Sequence, residues 1–457
     1  MKHKIYNYII IIILTFLIQI DLSCKKNWLD AKSDRSLVTP SSIKDYQELL
    51  DNTDIFNSRQ PALGEIGSAD FYAVYNTWQS FATEDKNGMI WAKDIYQGAS
   101  SIDWNQPYQQ MFYSNVTLEG IDKLIPDVSN QSSWNNLKGS ALFYRAFACY
   151  NLAQEFCKCF DKTTASADLG IPLRLNANIN ELSVRSSIQQ TYDQITNDLK
   201  QSLLFLPLVP LYKTRPSKPA GFALLARTYL AMENYNQAFV YADSCLRLYN
   251  TLLDYNSLSQ TVANPLPKLD NVETIFYSQL TSRLPFLPPR LIVDSTLYKL
   301  YSTNDLRRYL FFYLSGAVET YKGSYTKSRT LFGGLATDEI YLIRAECNAR
   351  KSDIGEAMLD LNSLLVNRWK TGTFVPFTAV DADDALSQIL KERRKELVFR
   401  TLRWTDLRRL NKDPRFAVTL TRLLNGTTYI LPPNDPKYVL PIPADEILAS
   451  DIQQNPR

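Results

Sequence analysis

Apolar positions recur at three- and four-residue steps along much of the chain, the spacing of one face of an α-helix. Tyr108, Met111, Phe112, Asn115, Leu118 and Ile121 mark such a face in a helix predicted from Trp104 onward. Leu137, Ala141, Tyr144, Ala148, Leu152 and Phe156 mark a second, over 134–160. A third runs over 188–206 and is stopped by Pro207 and Pro210. Ser41 or Ser42 can cap a short helix that reaches Leu50. Two stretches read as helix hairpins. In the first, arms over 221–232 and 236–249 flank the turn Glu233-Asn234-Tyr235; in the second, 338–368 repeats the plan about Ser352-Asp353. Ala226 and Ala238 are 12 positions apart, and so are Ala345 and Ala357. Small residues at that offset let antiparallel arms approach closely, which is the packing logic of tetratricopeptide repeats.

Two stretches break this pattern. Residues 56–103 and 251–335 lack periodicity and are rich in aromatic, polar and turn-forming residues. Such long loops usually carry function when they are ordered. The tail beyond 411 reads as extended, punctuated by Pro432, Pro433, Pro436, Pro441 and Pro443. The predicted fold is mainly α: a tetratricopeptide-repeat-like helical platform with long irregular aromatic-rich loop insertions. The helical repeats span about 104–250 and 336–411, within a single domain at 41–457.

The N-terminus changes the picture of where this domain sits. Lys2 and Lys4 precede an apolar run of 13 residues, Tyr8 to Ile20. That length suits an export signal and falls short of a membrane span. Ser23-Cys24 then resembles a bacterial lipobox, with Asp21 where an aliphatic residue is usual. This predicts a signal over 1–23, a lipid on Cys24, and a polar tether over 24–40. A lipid there anchors through burial of its acyl chains.

Composition narrows the chemistry. The chain has 457 residues, a formal net charge of +3 and a single histidine, His3. Loss of the signal leaves no histidine, which removes Ser-His-Asp and Cys-His nucleophilic sites and His-bearing zinc sites. Cys149, Cys157, Cys159, Cys245 and Cys347 are an odd set that cannot all pair, and they read as buried thiols. No phosphate-binding glycine loop and no cofactor motif is present. Residues 391–409 hold eight basic and three acidic side chains. They fall in a long charged helix or helix pair over 385–410 with internal pairs Glu392–Lys395 and Glu396–Arg400, and do not read as a nucleic-acid site.

Several blocks together resemble the SusD/RagB-like family of Bacteroidetes outer-membrane nutrient-binding lipoproteins. They are Cys24-Lys25-Lys26-Asn27-Trp28-Leu29-Asp30, Ser140-Ala141-Leu142-Phe143-Tyr144-Arg145-Ala146, the two hairpins, and Tyr341-Leu342-Ile343-Arg344-Ala345-Glu346. Glu392-Arg393-Arg394-Lys395-Glu396-Leu397, Arg403-Trp404-Thr405-Asp406-Leu407-Arg408-Arg409 and the stretch 438–456 complete the order. The resemblance implies a non-enzymatic, lipid-anchored protein on the outward face of the outer membrane. It implies capture of an oligosaccharide, or in some members a peptide, for a SusC-like TonB-dependent transporter. A pure protein-interaction scaffold and a lipid-anchored glycoside hydrolase are the alternatives.

Sugar binding needs flat apolar faces with polar groups beside them. Tyr72, Tyr75, Trp78 and Trp91, with Asp70 beside them, form the first candidate platform. Tyr321 and Tyr325 form the second.

Overall fold

Ser42 opens the first helix through a capping box. Its hydroxyl accepts from Asp45 N at 3.2 Å, and the Asp45 carboxylate accepts from Ser42 N at 2.9 Å. The computed structural model describes residues 40–457, of which Ser42–Arg457 make up one compact unit. The signal over 1–23, the Cys24 lipid site, the block 24–30 and the tether as far as residue 39 lie outside the described residues.

The long helices are α1 (Ile43–Leu50), α2 (Ile102–Ile121), α3 (Gln131–Phe156), α4 (Ile188–Phe205) and α5 (Lys218–Ala231). They continue as α6 (Tyr235–Leu248), α7 (Thr337–Arg350), α8 (Ile354–Leu365), α9 (Ala382–Glu396) and α10 (Leu402–Leu410). From α2 to α8 each helix packs on the next, and α9 packs on α7. This row is the platform the periodicity predicts. α3 is buried almost all round from Leu137 to Phe156, more than its single stripe foretells, because α2 and α4 cover opposite flanks.

The two hairpins fold alike. Glu233 and Ser352 occupy the left-handed region at φ 56° and 65°. The residue after each caps the second arm: Asn234 accepts from Gln237 N at 3.2 Å, and Asp353 from Glu356 N at 3.3 Å. Ala226, Ala238, Ala345 and Ala357 are fully buried where the arms meet.

Buried arginine–carboxylate forks tie the row together. Arg145 reaches both oxygens of Asp198 at 2.7 Å and Asn115 Oδ1 at 3.0 Å, joining α2, α3 and α4. Arg227 grips Glu339 at 2.8 and 2.5 Å, joining α5 to α7. Arg344 joins α7 to Asp360 of α8 and Asp243 of α6. Arg409 grips Glu346 at 2.6 and 2.8 Å, joining α10 to α7. Burial opposes ionisation of Glu346, yet Arg409 and Arg350 overcome it and hold its pKa down to about 2.

The stretch 391–409 is the helix pair the sequence allows, α9 and α10, and it departs from the sequence reading in its charges, most of which are buried. Glu392–Lys395 forms at 2.7 Å. Glu396 instead meets Arg307 and Arg368, at 2.8 and 2.7 Å, and Arg400 meets Asp338. These partners belong to remote segments, which sequence neighbours cannot reveal. Arg307 itself is fully buried and also meets Asp305 and Glu392.

The loop regions hold more structure than expected. Residues 56–103 include the short helices Leu63–Gly67, Tyr75–Gln79 and Thr83–Met89. A Cβ on Gly64 or Gly67 would lie 2.9 Å from the Trp404 ring, so glycine is what lets this short helix rest on α10. Five two-stranded antiparallel pairs occur among the described residues. They are β1 (Phe71–Tyr72) with β5 (Ile292–Val293), β2 (Leu169–Pro172) with β3 (Arg185–Ser187), and β4 (Thr274–Phe276) with β8 (Leu335–Ala336). β6 (Phe312–Ser315) pairs with β7 (Val318–Tyr321), and β9 (Leu420–Leu424) with β10 (Thr427–Leu431). The β1–β5 pair splices the two loop regions together. The tail, read as simply extended, turns back at Asn425-Gly426, whose φ values of 49° and 78° suit a two-residue hairpin turn.

Arg307→Met is expected to cost about 3–5 kcal/mol, because it removes the buried guanidinium that Asp305, Glu392 and Glu396 share and leaves three buried carboxylates with only Lys395 and Arg368 as cations. Urea denaturation of the variant beside the wild type measures this. A loss below about 1 kcal/mol would show that the three carboxylates find other partners or take up protons.

Candidate functional site

Two clefts open among the spliced loops. The first has a volume of about 500 Å³. β1 and β9 form walls, and Arg394 of α9 with Arg403 of α10 lies between them. The second, of about 370 Å³, is lined by Phe286, Pro288, Tyr313, Tyr321 and Lys322, among others. Phe71 lines the first and Phe286 the second, and these two rings meet edge to face at 5.9 Å.

The structure sorts the predicted site residues. Tyr72 is 42% exposed on the wall of the first cleft. Tyr75 and Trp78 are half-buried and stacked on each other at 5.7 Å, with Trp78 Nε1 donating to Lys86 O. These three keep ring surface open to solvent.

Asp70, Trp91 and Tyr325 do not. Asp70 is fully buried, and one of its oxygens takes both Nε and Nη2 of Arg394, at 2.9 and 2.8 Å. It positions an arginine instead of facing a ligand. Trp91 is 2% exposed, with its indole N–H on Gly67 O at 3.0 Å and the Arg422 guanidinium over its ring. It lines the first cleft only from within the core. Tyr325 is buried with its hydroxyl among Tyr255, Glu273 and Asp338. It belongs to the charge cluster around Arg368 and Arg400. Tyr321 is largely buried against Phe399 at 4.7 Å, yet it lines the second cleft beside the more open Tyr313.

Sequence reasoning missed Tyr313, Arg394, Arg403 and Thr421. Tyr313 was findable: Phe312 to Tyr321 is a short hairpin about Gly316, which has φ 64°. The arginines were hidden in a charge run that reads the same whether buried or solvated.

The carboxylates at the clefts are already engaged. Asp294, on the first, caps a short helix by accepting from Thr296 N and Leu297 N. None of the residues lining the second cleft is acidic. Among the described residues no three His, Cys, Asp or Glu side chains gather as a metal site. The five cysteines among them are free thiols, and burial pushes Cys149 up to about 12 and Cys157 to about 11.

Arg422 is buried beneath β9 and bonds only carbonyl oxygens, among them Phe71 at 3.0 Å and Ile66 at 2.9 Å. Burial lowers its pKa to about 10, so it stays charged at neutral pH. Glu65, also fully buried, lies nearby. Burial first, and the charge of Asp70 second, push its carboxyl up to about 8. Hydrogen bonds from Thr401 N at 2.7 Å and Ser68 Oγ at 3.1 Å do not offset this.

Residues 27–230 match a SusD-like family model described as starch-binding, associating with the outer membrane, and residues 335–457 match the SusD family model. The two stretches together take in well over half of the chain. No curated protein matches. Among solved structures, a putative sugar-binding protein from Bacteroides vulgatus shares 22% identity at a TM-score of 0.73, covering 92% of this chain and 99% of its own. A SusD superfamily protein from Bacteroides thetaiotaomicron shares 22% at 0.74, covering 91% and 100%. A SusD-like carbohydrate-binding protein from Bacteroides vulgatus shares 20% at 0.68, covering 90% and 97%. At these identities the likeness is one of fold. No helix among the described residues is long and apolar enough to cross a membrane.

Glu65 gives a pH test. Its folded pKa is raised above the unfolded value, so the stability it supplies is full below that value and is lost as pH climbs toward 8. Glu65→Gln lacks this loss. Its melting temperature is expected to gain on wild type as pH rises from about 5 to about 8. A constant difference across that range, measured by scanning fluorimetry, would mean that Glu65 is ionised in the fold.

Proposed function

Because the chain belongs to the SusD family, we propose that it is an outer-membrane surface lipoprotein that binds carbohydrate for import. In this reading the lipid sits on Cys24, the tether over 24–40 leads outward, and the domain delivers its ligand to a SusC-like TonB-dependent transporter. The observation that carries the reading is the exposed Tyr72 on the wall of a cleft of about 500 Å³, followed in the chain by the stacked Tyr75–Trp78 pair. Pyranose rings present a flat C–H face that such rings can cover, and hydroxyl-bearing side chains beside them can bond the sugar edge. Thr421 on β9 and Thr419 just before it line the same cleft. No step of catalysis is assigned, since Asp70 and Asp294 are already held by protein donors.

The helical row has a separate role in this reading. It holds the loops rigidly and offers its outer surface to the transporter, while the clefts stay free for the ligand. The matched family, described as starch-binding and associating with the outer membrane, and the sugar-binding structural relatives support the carbohydrate part of this reading.

Affinity electrophoresis in gels cast with a broad panel of polysaccharides tests this. At least one is expected to retard the protein. Tyr72→Ala and Trp78→Ala are expected to reduce the retardation with little change in melting temperature. Trp91→Ala should instead destabilise the fold by about 3–5 kcal/mol, as for other large core truncations. Free migration through every gel would eliminate carbohydrate as the ligand.

A further inference from the structure

The charge run at 391–409 leaves a remainder once its buried pairs are assigned. Arg393, Lys395, Arg400 and Arg409 each reach a carboxylate, and Arg408 reaches carbonyl oxygens of Gln154 and Cys157. Lys391 is exposed. Arg394 and Arg403 remain, and both line the first cleft. Arg394 places two of its nitrogens on one oxygen of Asp70. Arg403 makes no hydrogen bond with another described residue. Its nearest carboxylate oxygen is Asp70 Oδ1 at 3.9 Å from Nε, and that Nε is buried without a partner. The side chain is only 13% exposed.

This is an uncommon situation for a guanidinium. Five N–H donors in a rigid fork normally meet a carboxylate or phosphate. Burial and the neighbouring Arg394 both lower the pKa of Arg403, so the site resists its charge as it stands. Arg394 and Arg403 face one carboxylate between them, that of Asp70. Arg394 holds its Oδ1 at 2.8 Å while Arg403 stays 3.9 Å away, so one guanidinium charge has no counter-ion in contact. It lies in a cleft that also presents Tyr72 and Thr421.

We infer that the first cleft binds an anionic saccharide, with a carboxylate or sulfate oxygen of the sugar seated on Arg403 and the free side of Arg394. This rests on the carbohydrate reading above and sharpens it to a substrate class. Tyr72 covers the ring, and the hydroxyls of Thr419 and Thr421 take its edge. An anion satisfies the open donors of Arg403 and neutralises the surplus charge, which a neutral sugar does not. The charge-assisted bonds it forms are about twice as strong as neutral ones.

The test pairs each acidic polymer with its neutralised form. Polygalacturonate is set against its methyl ester, and chondroitin sulfate against its desulfated and carboxyl-reduced forms, with starch and xylan as neutral probes. At least one acidic polymer is expected to retard the full secreted protein, less so with added salt. Neutralising the relevant group should weaken binding about tenfold or more, and this also tells carboxylate from sulfate. Arg403→Gln is expected to give the same loss. Thr421→Glu, at an exposed strand position, adds a repelling charge at the cleft without touching the core, so it reports even where Arg403→Gln folds poorly. Lys391→Gln, exposed on the same run, should bind as wild type. Equal retardation by acidic and neutral forms, with both cleft variants unaffected, would overturn the anionic class and leave the carbohydrate reading standing. No retardation by any polymer, neutral or acidic, defeats both. Binding of a peptide that depends on a free C-terminal carboxylate and on Arg403, with no glycan bound, would overturn the saccharide assignment.

Discussion

The buried arginine–carboxylate fork is the interaction on which the rest of this molecule depends. Arg145, Arg227 and Arg344 each join helices of the row that pack on one another, and Arg409 ties α10 to it through Glu346 of α7. Arg283 does the same for the loops, meeting Glu84, Asp85 and Asp103 at 2.8, 2.7 and 2.5 Å. A fork has one good geometry, whereas apolar contacts tolerate sliding. Replacing a whole buried pair by apolar groups is often energetically neutral, but removing one partner is severe. The forks therefore act on register more than on net stability. They fix which turn of one helix faces which turn of the next, and which loop residue meets which helix.

That constraint also places the clefts. Asp70 follows the short helix on which Trp404 rests, and it fastens Arg394 of α9. β1 then carries Tyr72 outward and pairs with β5, which brings the second loop region alongside. Arg422 reaches from β9 to the carbonyl oxygens at 66, 68 and 71, so the C-terminal hairpin is locked to the same short segment. Three stretches far apart in the chain thus converge on one cleft. Each is held by a charged group whose partner is backbone or carboxylate, leaving ring faces and two arginine edges to face outward.

Much of the platform was legible in the sequence. Helix faces are written locally, in three- and four-residue spacing, and the alanine register of the two hairpins is carried through to matching left-handed turns at Glu233 and Ser352. What was not legible depends on distance. The partners of Glu396 lie 89 and 28 residues away and that of Arg400 lies 62 away, so no pattern near 391–409 separates a buried network from a solvated face. The same holds for rings. Tyr72, Tyr75, Trp78 and Trp91 share one loop composition, but Gly67 and Arg422 draw only Trp91 inward. The turn at Asn425-Gly426 was readable from its dipeptide, and the density of prolines after it obscured the two strands.

The neck of the second loop region has a consequence for how such a protein can change. Thr337 at the start of α7 donates its hydroxyl to Thr251 O at 2.7 Å, just after α6 ends, and α6 packs directly on α7. The 85 or so residues between them leave and re-enter the scaffold at a single point, closed by the helices on either side. Once a loop is pinned at its ends, doubling its length costs only about 0.6 kcal/mol in closure entropy. A tip clear of the row's buried charges, such as the exposed β6–β7 turn about Gly316, can therefore be lengthened or exchanged while Glu273, Asp305 and Arg307 hold the rest of the segment in place. Ligand preference and scaffold integrity are thus separable at such exposed tips, and they are joined wherever a charge of the segment is buried in the row.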